Sequence, residues 1–281
     1  MKVKILALIL ILFASTSISY AGSEKENIYK AGLNYIEGFY EGDSSKLKES
    51  LSTDLRKFGF WKEKKSGKFG KASWMKYEEA IAYADNVKAK KNFAKPDAPK
   101  KVEVMDYTDK IAAVKISAWW GVDYMLLAKH DDKWIIEEVI WEGPSLKAES
   151  TESDHTAVKR ATLNYLEGFY EGDTSKLKAA LRPTMFKWGY SLDKKTNTHK
   201  PGKQMTFDQA ISLAERIKEN KWFPGADAPR EVEVLEVKSI IAITKVTASW
   251  GIDYMLLAKQ GDEWRIDQIL WAGVPAEKAG E

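Results

Sequence analysis

Cysteine is absent from all 281 positions of the chain. The absence excludes disulfide bonds, thiolate metal sites, a cysteine nucleophile and a lipid-anchored cysteine. Histidine is nearly as scarce: only His130, His155 and His199 occur, and none has a partner at the spacing of a metal site or a catalytic triad. A glycine-rich phosphate-binding loop is also missing. The sequence therefore predicts no metal, no cofactor and no nucleophilic catalysis.

A strong net charge is missing as well. The formal net charge at pH 7 is +3, and it falls to about +1 without Lys2 and Lys4. The short basic clusters lie beside acidic residues, which is typical of solvated surface. The sequence thus gives no electrostatic reason to expect nucleic-acid binding.

The apolar run near the N-terminus is shorter than a typical membrane-spanning helix. It covers residues 5–14, follows two lysines, and precedes small residues at positions 19 and 21, which is the pattern of a secretory signal peptide. We predict a signal over residues 1–21 and an exported protein, periplasmic or secreted. No stable membrane insertion is expected after the signal is removed, and a retained anchor helix is the alternative.

What the chain does contain is a long internal repeat. Asn34–Asp43 returns as Asn164–Asp173, and the later shared segments return at the same offset without a gap. A unit that fills nearly half of the chain is a whole domain rather than a solenoid repeat. The sequence predicts two similar tandem domains, at residues 22–143 and 157–281, joined by a linker rich in Ser, Glu and Thr at 144–156.

Each copy predicts the same order of helices and strands. In the first copy, residues 28–41 and 43–51 have helical features, and a third helix carries an apolar stripe. The stripe consists of Tyr77, Ala80, Ile81, Ala84 and Val87. A short strand at 57–61 precedes that helix, and about four antiparallel strands follow it. This is an α+β layout in which three helices pack on one face of a curved antiparallel sheet.

The late hairpin of each copy is apolar on both faces. In the first copy, Tyr124, Leu126 and Ala128 point to one side, whereas Met125 and Leu127 point to the other. A half-solvated antiparallel sheet would alternate apolar with polar residues, so a second layer must cover the outer face. We predict that the sheets of the two domains pack together as an internal pseudo-dimer within a monomeric chain.

These features together resemble a known superfamily. The helix order, the Gly-Asp after the first helix and the Asp-Tyr-Met-Leu-Leu hairpin resemble nuclear-transport-factor-2-like proteins, which have a cystatin-like fold. Within that superfamily the chain looks most like the group named putative lumazine-binding, relatives of the polyketide cyclases and ketosteroid isomerases. The resemblance covers both copies and implies a cone with a pocket between sheet and helices. It does not decide between enzymes, ligand binders and assembly modules.

The resemblance to the isomerases also implies site residues. Their oxyanion hole consists of a tyrosine on the first helix and an aspartate on a late strand, and a tryptophan closes the pocket. With one further tryptophan retained in both copies, the matching ligand-binding candidates are Tyr35, Trp120, Asp123 and Trp141, and Tyr165, Trp250, Asp253 and Trp271. The aspartate would have a raised pKa and would donate a hydrogen bond. Core packing or structural hydrogen bonds are the alternative roles.

One isomerase position does not match. The general base of those enzymes is an aspartate on the first strand, and Gly59 and Gly189 stand there. Lys57 and Lys187 are the nearest titratable side chains, and we expect them to face outward; Asp54 occurs in the first copy only. A donor pair without a base can hold an oxygen atom but cannot move a proton, so no catalytic residue is predicted.

Two tryptophans distinguish the copies. Trp61 and Trp119 are replaced by Ser191 and Ser249 at the equivalent positions of the second copy. The fold therefore does not require them. They are either exposed or specific to a pocket of the first copy.

Three functions follow from these observations. The leading hypothesis is a non-enzymatic exported protein with an aromatic pocket in each domain, which binds a small apolar or aromatic molecule with a polar oxygen. An isomerase-, cyclase- or dehydratase-like enzyme would be favoured if Asp54 or Lys57 pointed into the cone. A protein-interaction or assembly module would have filled cones and an exposed patch of Phe60, Trp61 and Trp119.

Overall fold

The computed structural model describes the backbone of residues 6–63, 65–144 and 150–274, and the side chains of these ranges from residue 24 onward. The predicted signal over residues 1–21 lies outside the described side chains and stays a prediction. Within the described part of the chain, no helix combines the length and the apolar character that a membrane crossing requires.

The first domain has three helices and six strands among the described residues. In chain order they are α1 (Leu6–Glu41), α2 (Ser44–Ser50), β1 (Leu51–Phe60), β2 (Ser73–Met75), α3 (Tyr77–Ala89), β3 (Lys100–Tyr107), β4 (Ile111–Ala118), β5 (Gly121–His130) and β6 (Lys133–Glu142). The predicted order is confirmed apart from β2, which the sequence did not predict. Strand β1 begins six residues earlier than expected, because the backbone is already extended at Leu51, where α2 ends.

The second domain repeats this order at equivalent positions and adds one strand, β8. Its elements are α4 (Glu152–Glu171), α5 (Thr174–Ala180), β7 (Leu181–Asp193), β8 (Thr198–Pro201), β9 (Met205–Thr206), α6 (Phe207–Asn220), β10 (Arg230–Val237), β11 (Ile241–Ala248), β12 (Gly251–Gln260) and β13 (Glu263–Ala272). Helix α4 begins inside the segment predicted as linker, because Thr151 and Asp154 form a capping box there. Residues 145–149 of that segment lie outside the described residues.

Each domain forms one sheet with the same strand arrangement. The first runs β2-β1-β6-β5-β4-β3, and the second runs β10-β11-β12-β13-β7-β8, with β9 also paired to β7. The four late strands of each domain are antiparallel, as predicted. Strand β1 joins β6 in the parallel direction, which the long connection between these two strands permits.

The two sheets pack against each other and enclose a shared apolar core. Tyr124, Leu126 and Ala128 lie in this core with their counterparts from β12, whereas Met125 and Leu127 face the helices of their own domain. Polar contacts also join the domains, including one between Lys115 Nζ and a Glu236 carboxylate oxygen at 2.7 Å. The predicted pseudo-dimer is therefore confirmed, and it explains why the hairpin is apolar on both faces.

Candidate functional site

A buried polar cluster lies between the sheet and helix α1 of the first domain. Tyr35 Oη donates to Asp123 Oδ2 at 2.5 Å, and Trp120 Nε1 donates to Asp123 Oδ1 at 2.7 Å. Lys57 Nζ donates to Tyr35 Oη at 2.6 Å and to Asp123 Oδ2 at 3.2 Å. Tyr35 and Asp123 are fully buried, and Lys57 is only 6% exposed. The cluster thus contains an ion pair shielded from water.

The second domain builds the same cluster from equivalent residues. Tyr165 Oη and Trp250 Nε1 donate to Asp253 Oδ2 at 2.8 and 2.9 Å. Lys187 Nζ donates to Tyr165 Oη at 2.5 Å and to Asp253 Oδ1 at 3.1 Å. The structure therefore brings together the tyrosine, aspartate and tryptophan expected in each copy, and it adds a lysine to each set.

The expectation that Lys57 and Lys187 face outward is wrong. Side chains alternate along a strand. In β1, Phe58 and Phe60 point into the core between the domains, whereas Leu55 points toward the helices, so Lys57 must share the helix side with Leu55. The same parity applies in β7. Because a lysine occurs at this position in both copies, the sequence did contain a signal that its side chain is part of the shared cluster.

The aspartate of each cluster accepts hydrogen bonds rather than donating them. Its three partners are a lysine ammonium, an indole N–H and a tyrosine hydroxyl, and the first two are donors only. The expectation that Asp123 and Asp253 present a proton to a ligand is therefore wrong in this arrangement. Both carboxylates instead hold the lysine and the tyrosine in place.

Burial controls the charge states of the neighbouring groups. Burial lowers the pKa of Lys57, and the Asp123 carboxylate opposes this change. Burial also raises the pKa of Tyr35 well above its ordinary value, and the nearby Asp123 charge raises it further. The tyrosine therefore stays neutral and relays a hydrogen bond from the lysine to the aspartate.

Gly59 occupies the isomerase base position because a side chain there would collide with Trp141. The two residues are register partners on β1 and β6. A Cβ atom on Gly59 would lie 2.2 Å from the Trp141 carbonyl oxygen and 2.4 Å from its indole ring. Gly189 has the same relation to Trp271. The indole thus takes the space that a catalytic carboxylate would need.

A cleft of about 200 Å³ opens above the cluster of the first domain. Five of its lining residues are tryptophans, namely Trp61, Trp74, Trp119, Trp120 and Trp141. Lys57 is the one charged residue among the lining residues, and its Nζ lies 5.5 Å from the centroid of the Trp141 ring. Asp123 lies behind Lys57 and Tyr35 and does not line the cleft. The cleft is therefore lined by aromatic rings and has one ammonium group, that of Lys57, at its base, which we call the floor.

The second domain has a larger pocket of about 480 Å³. Lys187, Trp250 and Trp271 line it, whereas Tyr165 and Asp253 lie behind them. Its outer part is formed by apolar residues of α6 and the following loop, among them Ile217, Trp222 and Phe223. The two pockets thus share a floor and differ in their outer walls.

The tryptophans that distinguish the first copy lie at the mouth of its cleft. Trp61, Trp74 and Trp119 are 48%, 56% and 47% exposed, so Trp61 and Trp119 are both exposed and part of a first-copy pocket. Phe60 is buried between the domains, and the patch expected to include it is therefore not formed. Sequence reasoning missed Trp74, which the three-residue strand β2 brings to the cleft.

No cluster of His, Asp and Glu side chains suited to a metal ion occurs among the residues that the structure describes. The three histidines also stay apart. His130 contacts Glu137 beside the domain interface, His155 lies near Ser150 at the start of α4, and His199 binds the Gly273 carbonyl oxygen. None of them lines either pocket.

The buried tyrosines predict a steep loss of stability at high pH. Burial is the main cause that raises the pKa values of Tyr35, Tyr124, Tyr165 and Tyr254 well above 10 in the folded protein. Their contribution is complete below pH 10 and is lost as the pH rises above it, because the unfolded chain ionises first. The lowered pKa values of Lys57, Lys110 and Lys187 act with the opposite sign but involve fewer groups.

We expect a step in tyrosinate absorbance that coincides with the loss of far-UV circular dichroism during an alkaline titration. Exposed tyrosines, such as Tyr29 and Tyr83, supply the absorbance of the folded protein as an internal reference. If all tyrosines ionised while the circular dichroism spectrum stayed native, the buried hydroxyls would have to be accessible, contrary to the structure.

Comparisons with known proteins agree with this architecture. A family model described as "Putative lumazine-binding" matches residues 23–142 and again residues 153–272. No curated protein matches the chain.

Solved structures with detectable similarity each cover one domain. A nuclear-transport-factor-2-like protein of unknown function from Shewanella baltica OS155 is 21% identical, with a TM-score of 0.34, covering 44% of this chain and 96% of its own. A cystatin-like domain from Nostoc punctiforme is 14% identical (TM-score 0.32; 46% and 83% covered). A ketosteroid isomerase-like protein from Erwinia carotovora is 15% identical (TM-score 0.32; 44% and 99% covered).

Proposed function

Because the chain belongs to the family described as putative lumazine-binding, we propose that each domain binds a small, largely apolar molecule with a polar oxygen, without turnover, in an exported protein. The observation that carries this proposal is the lysine at the floor of each pocket. An ammonium group has three N–H donors, and Lys57 uses two of them on Tyr35 and Asp123. The third is available to a ligand oxygen.

The walls of the first cleft favour a flat ligand. A cavity of about 150 Å³ lined by apolar side chains accommodates benzene, so a cleft of about 200 Å³ suits a molecule of one substituted ring or two small fused rings. Trp61 packs edge-on against Trp141, with ring centroids 4.6 Å apart, and Trp119 packs edge-on against Trp120 at 5.7 Å. Such supported indoles offer rigid surfaces for aromatic contact.

Lys57 points into the cone, which is one of the two orientations that would favour the enzymatic alternative. The ammonium is held by Asp123 and Tyr35, and in this charged form it can donate to an oxygen but has no lone pair with which to take a proton. Asp54 is exposed, and Trp141 fills the space beside Gly59. Among the described residues of the cleft, donors are therefore present without a general base, which supports binding rather than proton transfer.

The test is a comparison of three ring probes, namely toluene, phenol and benzoate. We expect phenol and benzoate to bind at least about tenfold more tightly than toluene, because the Lys57 and Lys187 N–H groups would otherwise stay unpaired. Native mass spectrometry of protein purified from an exporting host gives the stoichiometry, and tryptophan fluorescence gives the affinity. The intact mass also reports whether cleavage occurs after Ala21.

A surface variant separates the cleft from non-specific binding. Trp61→Ala removes an exposed aromatic wall of the first cleft and should weaken phenol binding there about tenfold without unfolding the domain. Tyr29→Ala removes an exposed aromatic residue outside both pockets and serves as the matched control. Equal affinities for toluene and benzoate, or no binding of any probe, would contradict the proposal.

A further inference from the structure

The two pockets differ mainly at one turn whose backbone is the same in both domains. Trp119 and Ser249 occupy equivalent positions between β4 and β5 and between β11 and β12. The Trp119 N–H donates to Tyr40 Oη at 2.8 Å, and the Ser249 N–H donates to Tyr170 Oη at 2.8 Å. The glycines two positions later have φ angles of 130° and 132°. The difference between the pockets therefore arises from side chains on a matched framework.

In the first domain, Trp119 separates two cavities. On its inner side is the cleft above Lys57, and on its outer side is a groove of about 460 Å³ below the loop that follows α3. Phe39, Tyr83 and Trp119 line both cavities. Trp119 packs edge-on against Trp120 with ring centroids 5.7 Å apart, so its indole is supported as a partition.

In the second domain, the partition is missing. Ser249 replaces Trp119 and Leu213 replaces Tyr83, and a single pocket extends from Lys187 to the loop at residues 222–225. Within the described part of the chain, Lys187 is the one charged residue along its lining. The corresponding groove of the first domain instead carries the polar residues Asn92, Lys95 and Asp97. The second pocket is therefore a long apolar channel with a cation at its inner end.

We propose that the second domain binds an elongated apolar carboxylate, such as a medium-chain fatty acid. Its oxygen atoms bind Lys187, and its alkyl chain follows Ile217, Trp222 and Phe223. The first domain accepts only a short ring-shaped ligand, because Trp119 closes the path to the outer groove. Trp119 and Ser249 thus set the length of ligand that each domain accepts. This inference rests on the proposed function, since it requires the lysine of each pocket to hold a ligand oxygen.

The test uses decanoate as the long probe and benzoate as the short one. We expect wild-type protein to bind one decanoate and two benzoates per chain in native mass spectrometry. Ser249→Trp installs the partition of the first domain on the same turn and should weaken decanoate binding at least about tenfold while benzoate binding is retained. Ser212→Trp makes the same chemical change at an exposed position of α6, outside the lining of the second pocket, and should leave decanoate binding unchanged.

The outcomes distinguish this inference from the proposed function. If Ser249→Trp binds decanoate as tightly as wild type, or if wild-type protein binds two decanoates with equal affinity, the assignment of ligand length is overturned while benzoate binding still supports the pockets. If wild-type protein binds neither probe, the proposed function fails and this inference fails with it.

Discussion

Replacing Lys57 with methionine is expected to lower the free energy of unfolding of the first domain by about 3–5 kcal/mol. Removing one partner of a buried ion pair leaves an uncompensated charge, which is costly by about this amount. Asp123 is fully buried, and only the Tyr35 hydroxyl and the Trp120 indole N–H would remain to stabilise its carboxylate. Urea unfolding followed by far-UV circular dichroism measures the change.

Two further variants make this prediction specific. Combining Lys57→Met with Asp123→Asn removes both charges and should restore part of the lost stability, so that the double-mutant cycle shows a clear coupling energy. Lys71→Met replaces an exposed lysine of the same domain and should change stability by less than about 0.5 kcal/mol. A loss for Lys57→Met as small as that of Lys71→Met would mean that no ion pair exists in solution.

The buried cluster is the same in both domains, although the pockets above it differ. The same lysine, tyrosine, aspartate and tryptophan occur at the base of two pockets whose outer walls differ. The shared floor therefore provides one chemical feature, an N–H donor in an apolar surround. The unshared walls are where the two pockets differ, and the proposed difference in ligand length rests on them.

Much of this fold could be predicted from the sequence, because its signals are strong and local. The constant offset between the repeated segments defines two domains, and the two apolar faces of Tyr124–Ala128 require a second sheet. The resemblance then identified the tyrosine, aspartate and tryptophans that the structure brings together. These features can be read from the order of residues along the chain or from the resemblance, without knowing which strands pair.

The orientation of Lys57 depended on a finer detail. A charged lysine is usually exposed, so the sequence suggested that Lys57 lies at the surface. Side chains alternate along β1, however, and because Phe58 and Phe60 face the other domain, Lys57 faces the helices and is buried. The faces of β1 can be assigned only when it is known that the other domain covers the outer face of the sheet. Trp74 was missed for a related reason, since β2 gains its position solely by pairing with β1.

The domain interface also contains an asymmetry that the separate repeats could not reveal. Glu138 of β6 is fully buried, and its counterpart is Gln268. Gln268 Nε2 donates to the Arg56 carbonyl oxygen across the interface at 2.8 Å. The Arg56 guanidinium lies 4.1 Å from the ring centroid of Phe186, which is its own counterpart in the second domain. At these equivalent positions, the first domain therefore has ionisable side chains and the second domain has none.

Glu138→Gln is accordingly expected to stabilise the protein, and increasingly so as the pH rises. Burial raises the pKa of Glu138 to about 8, and the neighbouring Arg56 lowers it only in part. Between the ordinary carboxyl value and about 8, the folded state binds more protons than the unfolded state, so wild-type stability falls as the pH rises through this window. Glutamine resembles the protonated carboxyl and cannot ionise. We expect a gain of about 4 kcal/mol near pH 8 and almost none near pH 4.

Urea unfolding of wild type and Glu138→Gln across this pH range measures the difference. Gln268→Glu is the mirrored variant, because it places a second carboxyl at the same buried interface and should lower stability with the opposite dependence on pH. A gain for Glu138→Gln that did not change with pH would show that the carboxyl is not protonated in the folded state. The ionised form would then be held by the Arg56 guanidinium, and the interface would contain an ion pair rather than a neutral acid.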